Sequence, residues 1–183
     1  MTSPSPDPAA PHPARSPASE PARREMFLLG PEATDALGAA LAGALAPGDT
    51  VLLAGPIGAG KSHLARAVIQ SRFRSGGETP PEVPSPTYTL VQPYPAPGGE
   101  IVHADLYRLG DTSELEELGL AEAFGAALCL VEWPDRLGEA APPEALRIDL
   151  SPEGAGRRAR LRGAAARWAD RLGALTAPDE GDR

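Results

Sequence analysis

Residues 55 to 62 read Gly-Pro-Ile-Gly-Ala-Gly-Lys-Ser, which fits the phosphate-binding loop pattern G-x-x-x-x-G-K-[ST] at every required position. Glycines at 55, 58 and 60 let the backbone turn tightly, so that its N–H groups point at one spot. Lys61 is the single lysine of a chain that otherwise uses arginine, and its compact ammonium suits the outer phosphates better than an arginine fork. Ser62 can offer its hydroxyl to Mg²⁺.

The segments around this loop have the context that a phosphate site requires. An apolar strand over 50–54 runs straight into the loop, and a helix is predicted from 61 to about 74. That helix would add the positive end of its dipole to the same spot. The alternative, a glycine-rich turn with a chance lysine, does not explain this strand–loop–helix order.

Hydrophobic periodicity elsewhere predicts an α/β fold, with a P-loop NTPase-like mixed sheet flanked by helices in a single domain over 25–175. Predicted strands cover 25–29, 88–94, 100–105, 127–132, 145–150 and 158–161, and further helices cover 34–45, 113–124 and 164–175. Short links predict two antiparallel hairpins, 88–94 with 100–105 and 145–150 with 158–161. Residues 1–24 are rich in proline and are expected to be a disordered tail, and 176–183 a flexible end.

Composition limits the possible functions. The 183 residues carry a net charge of −8, so the chain is a poor general binder of nucleic acid, and any RNA would be held mainly by a partner. The single cysteine, Cys129, lies in an apolar run and is expected to be a small core residue, not a catalytic thiol. No apolar run approaches the length of a membrane span, and cytoplasm is the expected location.

Two carboxylates follow apolar strands and could hold or position a metal beside the loop. Glu132 ends the run Leu130-Val131-Glu132, and Asp105 ends the run Val102-His-Ala-Asp105. A solvated charge at a strand end is the alternative for each. Thr87 lies on an irregular segment, where its hydroxyl could reach a γ-phosphate, although its position alone favours a plain turn.

The chain resembles the TsaE family (also called YjeE), the small ATPases of bacterial tRNA threonylcarbamoyladenosine synthesis. The segments that carry the resemblance occur in the family's order and at similar spacing: Gly58-Ala-Gly-Lys61-Ser62, Ser85-Pro-Thr87-Tyr-Thr-Leu-Val91, His103-Ala-Asp105-Leu-Tyr107-Arg108-Leu109, Glu114-Leu-Glu-Glu-Leu-Gly119 and Leu130-Val-Glu132-Trp133-Pro134. They extend over roughly residues 27 to 162.

The resemblance implies weak, Mg²⁺-dependent ATP hydrolysis that resets a complex of two partner proteins, TsaB and TsaD, with tRNA reached only through that complex. It implies that Lys61 and the amides from Gly58 through Ala59 and Gly60 to Ser62 bind phosphates. Ser62 and Glu132 would hold Mg²⁺, Asp105 would assist the metal or position water, and Thr87 would sense the γ-phosphate. Trp133 would pack near the nucleotide, and Thr34 and Arg157 would lie near its base and ribose.

One departure from the family lies inside the loop. Family members usually carry Thr-Thr after the lysine, whereas this chain has Ser62-His63. Serine keeps the hydroxyl, and His63 keeps its backbone N–H toward the α-phosphate, so nucleotide affinity should change modestly.

The late arginines form the one basic cluster of an acidic chain, and two interpretations of them stay open. They are Arg157, Arg158, Arg160, Arg162, Arg167 and Arg171. They could form a surface for phosphate or a partner, or they could protect an exposed strand edge by charge.

Three other functions compete with the ATPase. A small-molecule P-loop kinase and a non-catalytic nucleotide-binding interaction module both remain possible. A GTPase is disfavoured, because the guanine-reading N-K-x-D signature cannot occur in a chain that lacks asparagine.

Overall fold

The computed structural model describes residues 20–110 and 114–176, which form one mixed sheet with helices on both faces. The seven strands are β1 Ala22–Leu28, β2 Thr50–Ala54, β3 Val91–Ala96, β4 Gly99–Asp105, β5 Leu128–Glu132, β6 Leu146–Glu153 and β7 Gly156–Gly163. The helices are α1 Gly30–Ala44, α2 Lys61–Ser75, α3 Glu114–Glu117, α4 Leu120–Ala123 and α5 Ala165–Ala174, with a 3-10 segment at Pro134–Ala140.

The sheet has the strand order β1-β7-β6-β2-β5-β4-β3. β2 pairs in parallel with both β5 and β6, and β4 pairs in parallel with β5. The other three pairs, β1–β7, β6–β7 and β3–β4, are antiparallel. Every residue of β2 and β5 is buried, as their continuous apolar runs predict for central strands. The predicted mixed sheet and both predicted hairpins are therefore confirmed.

Two hydrophobic clusters lie on opposite faces of the sheet, because alternate residues of a strand point to opposite sides. In β5, Leu128 and Leu130 belong to the larger cluster with α1, α2 and α5. Cys129 and Val131 belong to the smaller cluster with Leu115 and other residues near α3, α4 and the 3-10 segment. Glu132 continues the alternation of Leu128 and Leu130, so it lies on the face that carries α2.

Several predicted elements differ from the structure in their bounds. The predicted strand 88–94 begins only at Val91, because Leu90 adopts a left-handed conformation with φ 62° and residues before it form a turn. The predicted helix 113–124 is two single turns, because Gly119 has φ 68° and ends the first one. Ser113 and the tails 1–19 and 177–183 lie outside the described residues. β1 begins at Ala22, so it takes in residues 22–24, which were assigned to the tail.

The arginine cluster does not lie on a sheet edge, so the interpretation as edge protection is wrong. β7 lies between β1 and β6, and the edge strands are β1 and β3. Most of the guanidinium groups form ion pairs with carboxylates. The pairs are Arg158 with Glu25 and Glu153, Arg160 with Glu25, Arg162 with Asp149, and both Arg167 and Arg171 with Asp49. These ion pairs neutralise most of the cluster.

Cys129 is fully buried, and burial raises the pKa of its thiol to about 12, which agrees with the predicted role as core filler. Among residues 20–110 and 114–176, no helix is long and apolar enough to span a membrane.

Candidate functional site

The phosphate-binding loop connects the end of β2 to the start of α2, as the motif predicts. Gly55, Gly58 and Gly60 all have positive φ, and Gly60 is the left-handed residue that precedes the helix. Its carbonyl accepts the first helical bond, from the Leu64 amide. The loop therefore turns the chain sharply and aims the free N–H groups of the first turn of α2 at its concave side.

Lys61 is the buried cation of this loop, with only 5% of its surface exposed. Its Nζ donates hydrogen bonds to the carbonyl oxygens of Gly55 (2.8 Å) and Pro56 (2.9 Å). Nζ also lies 4.0 Å from the centroid of the Trp133 ring, within the range of a cation–π interaction. Burial lowers the pKa of Lys61, and the carboxylates of Glu132 and Asp105 oppose that shift.

Ser62, Glu132 and His103 form a continuous hydrogen-bonded row beside the loop. The Ser62 hydroxyl donates to Glu132 Oε2 at 2.8 Å, and His103 Nε2 lies 2.9 Å from Glu132 Oε1. Glu132 and His103 are both buried. The carboxylate predicted at the end of β5 is thus brought to the residue that follows the loop lysine, and the interpretation as a solvated strand end is wrong for Glu132.

Asp105 lies at the end of the neighbouring strand, directly opposite Glu132 in the β4–β5 register. Its Oδ2 accepts hydrogen bonds from Thr87 Oγ1 (2.8 Å) and Ser85 Oγ (3.0 Å), and its Oδ1 accepts one from the Tyr107 amide (3.0 Å). Asp105 is 4% exposed, so it is not a solvated strand end either. The sequence did not single out the contact of Ser85 with Asp105.

Trp133 covers Lys61 because the chain leaves β5 in an unusual backbone conformation. Its φ is 58°, in the left-handed region that a bulky residue rarely adopts. The Trp133 amide donates to the Leu53 carbonyl at 3.2 Å, which keeps this residue beside β2. Its ring contacts the Tyr107 ring, with centroids 4.9 Å apart. The strained backbone therefore occurs at a residue that is predicted to pack near the nucleotide.

Of the two residues that the family resemblance places near the base and ribose, Arg157 lies against the loop and Thr34 is buried in α1. The Arg157 guanidinium lies against Gly60, where a side chain would displace it, and the φ of 99° is what favours glycine at this position. Thr34 is fully buried in α1, and its hydroxyl donates to the Gly30 carbonyl at 3.4 Å. Within the described part of the chain, no hydrogen bond joins Thr34 to the loop.

His63 and His103 have partners that the sequence did not reveal. His63 Nε2 lies 2.8 Å from Asp35 Oδ1, which links the first turn of α2 to α1. His103 is the polar member of the run Ile101-Val102-His103-Ala104. That isolated polar residue in an otherwise apolar strand is the signal that could have identified it.

The donor set suits Mg²⁺, a cation that prefers oxygen ligands. Ser62 Oγ and Glu132 Oε2 are neighbouring oxygens at the mouth of the loop. Among residues 20–110 and 114–176, no group of three or more His, Cys, Asp or Glu side chains could hold a metal alone. Such a sparse set is typical of Mg²⁺ sites in which substrate phosphates supply further ligands.

The chain is similar in sequence to a family of known proteins. A family model described as "Threonylcarbamoyl adenosine biosynthesis protein TsaE" matches residues 29–160. The tRNA threonylcarbamoyladenosine biosynthesis protein TsaE of Rickettsia bellii is 36% identical over 126 residues, which cover 69% of this chain and 85% of that protein. The Rickettsia conorii protein of the same name is 39% identical over 119 residues, which cover 65% of this chain and 66% of that protein.

The fold is also that of a solved structure. The crystal structure of Bacillus subtilis YdiB superposes with a TM-score of 0.67 at 25% sequence identity. The match covers 85% of this chain and 95% of YdiB, and YdiB has a P-loop NTPase fold.

Proposed function

This chain belongs to the TsaE family, and we propose that it is an Mg²⁺-dependent ATPase that serves tRNA threonylcarbamoyladenosine modification. The observation that carries the proposal is the hydrogen bond between Ser62 and Glu132. It unites a phosphate-binding loop with a buried carboxylate, which are the two parts that ATP hydrolysis requires of this fold.

The loop residues bind the triphosphate in this proposal. The amides of Gly58 and of Gly60 through His63 face the phosphates. The Ala59 amide, which donates to the Pro56 carbonyl at 3.2 Å, and Lys61 exchange their bonds with loop carbonyls for bonds with phosphate oxygens. Ser62 and Glu132 hold Mg²⁺, which when bound neutralises charge on the phosphates. Because burial already removes water from Lys61, the ammonium loses little further hydration when it meets an anion.

Asp105 and Thr87 act at the outer phosphate. The oxygen of a water molecule bonds to the γ-phosphorus while the bond to the ADP oxygen breaks, and the water's protons pass to solvent and phosphate. Asp105 positions that water, and the two hydroxyls bonded to its Oδ2 fix the carboxylate's orientation. Thr87 can turn its hydroxyl toward the γ-phosphate and so report its presence to the segment before β3. Positioning and charge neutralisation supply most of the rate.

Three further side chains complete the nucleotide site in this proposal. Trp133 packs against the nucleotide from its place over Lys61. Arg157 reaches the nucleotide across Gly60, and no ion pair holds its guanidinium within 20–110 and 114–176. Thr34 would act through the start of α1, since its hydroxyl is engaged with Gly30.

The proposed partners are TsaB and TsaD, with tRNA contacted only through them, in the cytoplasm. Large exposed side chains surround the site: Ile57 of the loop is 73% exposed, and Tyr88 is 83% exposed with Arg108 stacked 4.5 Å from its ring. Such apolar and aromatic groups suit a protein partner. The late arginines are mostly paired with carboxylates, which does not favour a tRNA surface there.

An ATPase assay with and without TsaB, TsaD and tRNA tests the proposal. We expect slow release of phosphate by the protein alone and faster release with the partners. Transfer of the γ-phosphate to a metabolite in preference to water would favour the kinase. Partner binding that does not depend on ATP turnover would favour the non-catalytic module.

A further inference from the structure

His103 is a fully buried polar side chain for which the proposed reaction has no task. It lies on β4, on the sheet face that carries α2, with Ile101 two residues before it and Leu130 opposite it on β5. Both of these neighbours are apolar, so packing alone would be served by an apolar residue. A buried polar group in such surroundings requires a specific reason.

The two ring nitrogens of His103 have very different surroundings. Nε2 lies 2.9 Å from Glu132 Oε1, whereas Nδ1 is buried with no hydrogen-bond partner among the described residues. An ionised carboxylate only accepts hydrogen bonds, so Nε2 is the donor. An unpaired buried nitrogen is unfavourable for folding. The His103 ring therefore makes one hydrogen bond, to Glu132, and leaves Nδ1 unpaired at a cost in folding stability.

The contact fixes which way the Glu132 carboxylate faces. Oε1 is held by His103, and Oε2 accepts the hydrogen bond from Ser62. Without a donor on Oε1, the carboxylate could rotate about its terminal bond and weaken the contact of Oε2 with Ser62. Hydrogen-bonded partners of metal-binding carboxylates commonly have this orienting role.

We infer that His103 is a positioning residue, whose Nε2–H holds Glu132 so that Oε2 stays beside Ser62 at the loop. The inference rests on the proposed function, because it assigns Glu132 to Mg²⁺. It gives His103 no contact with nucleotide and no part in proton transfer. Its effect should therefore appear in Mg²⁺ affinity and not in the binding of metal-free nucleotide.

The test compares wild type with His103→Leu by titrating Mg²⁺ into protein that holds a fluorescent ADP analogue. We expect the apparent Mg²⁺ affinity to fall about 10- to 100-fold, while analogue affinity in EDTA stays within about twofold. Val102→Ala is the matched control, because Val102 lies on the same strand, is also buried and faces the opposite cluster. It should lower the melting temperature and leave the Mg²⁺ affinity unchanged.

A second pair of variants decides the matter even if His103→Leu does not fold. The amide nitrogen of His103→Gln reaches the place of Nε2, whereas that of His103→Asn reaches only the place of Nδ1. We expect glutamine to restore the Mg²⁺ affinity to within about threefold of wild type and asparagine not to. Equal Mg²⁺ affinity in wild type, His103→Asn and His103→Leu would overturn the inference, as would failure of glutamine to restore it. Wild type that binds no analogue at all would overturn the proposed function, and the inference with it.

Discussion

Ser62 and Glu132 are seventy positions apart in the chain, and a 2.8 Å hydrogen bond joins their side chains. The sheet register creates this contact. Leu53, just before the loop, lies opposite Glu132 in the parallel pairing of β2 with β5. The carboxyl ends of both strands therefore lie side by side, where the turn into α2 begins. In open α/β sheets, ligands bind outside the carboxyl ends of the strands.

Glu132→Gln should retain nucleotide binding and lose hydrolysis, because the amide keeps the shape of the side chain and removes the negative charge that holds the metal. We expect phosphate release to fall by about 10²- to 10³-fold. The measurement is single-turnover phosphate release with the partners present, beside the dissociation constant of an ATP analogue. Glu122→Gln, an exposed acid on α4, is the control. Equal hydrolysis by wild type and Glu132→Gln would refute the role given to Glu132.

Lys61→Ala should abolish tight ATP binding, because it removes the ammonium group that the carbonyls of the phosphate-binding loop hold in place. Losing a charge-assisted contact to phosphate weakens binding by about 100-fold or more. Lys61→Arg should not restore it, since the guanidinium is wider and more rigid. Titration calorimetry measures both variants, and melting curves check that they fold. An unchanged dissociation constant for Lys61→Ala would contradict the loop assignment.

Thr87→Val should reduce the preference for ATP over ADP, because only ATP carries the phosphate that the hydroxyl is proposed to sense. One lost hydrogen bond to a charged group corresponds to about tenfold or more in the affinity ratio. Ser85→Ala removes the other hydroxyl on Asp105 Oδ2 and serves as the matched variant. It should slow hydrolysis with little effect on the ratio. Equal changes of the ratio in both variants would argue that Thr87 acts only through Asp105.

The parts of the fold that the sequence predicts are those with local signals. β2 and β5 are continuous apolar runs, and both hairpins have short proline- and glycine-containing links, so their positions follow from neighbouring residues. The loop, Lys61, Ser62 and Glu132 were likewise predictable from a motif and from a carboxylate at a strand end. Gly119 was not, because nothing in its immediate sequence showed that it would take φ 68° and divide a helix.

The parts that escaped prediction depend on residues far apart in the chain. The alternating arginines of β7 suggest an edge strand, but β1, from the other end of the sequence, covers it through pairs such as Met26 with Ala159. The contact of His103 with Glu132 likewise requires the β4–β5 register, which no local pattern specifies. Strand order and register come from packing of the whole sheet, so these features appear only in the folded protein.

Asp149 should make the free energy of unfolding depend on pH, through its contacts with Arg147 and Arg162. Burial alone would raise the pKa of this carboxyl, but hydrogen bonds from Arg162 and Arg147 outweigh it and hold the pKa below its usual value of 3.8. At a pH near this pKa the folded state binds fewer protons than the unfolded chain. The stabilisation that Asp149 gives the folded state is therefore complete at a pH above the usual pKa. It is lost as the pH falls through the lower, folded-state pKa.

We therefore expect wild type to exceed Asp149→Asn in unfolding free energy by about 1 kcal/mol at neutral pH, a modest amount because the side chain is partly exposed. The difference should hold down to about pH 5 and shrink below about pH 4. Urea unfolding followed at several pH values measures it, with Glu122→Gln as a control for removal of an exposed carboxylate. A difference that stays constant into strong acid would mean that Asp149 contributes through packing and not through its charge.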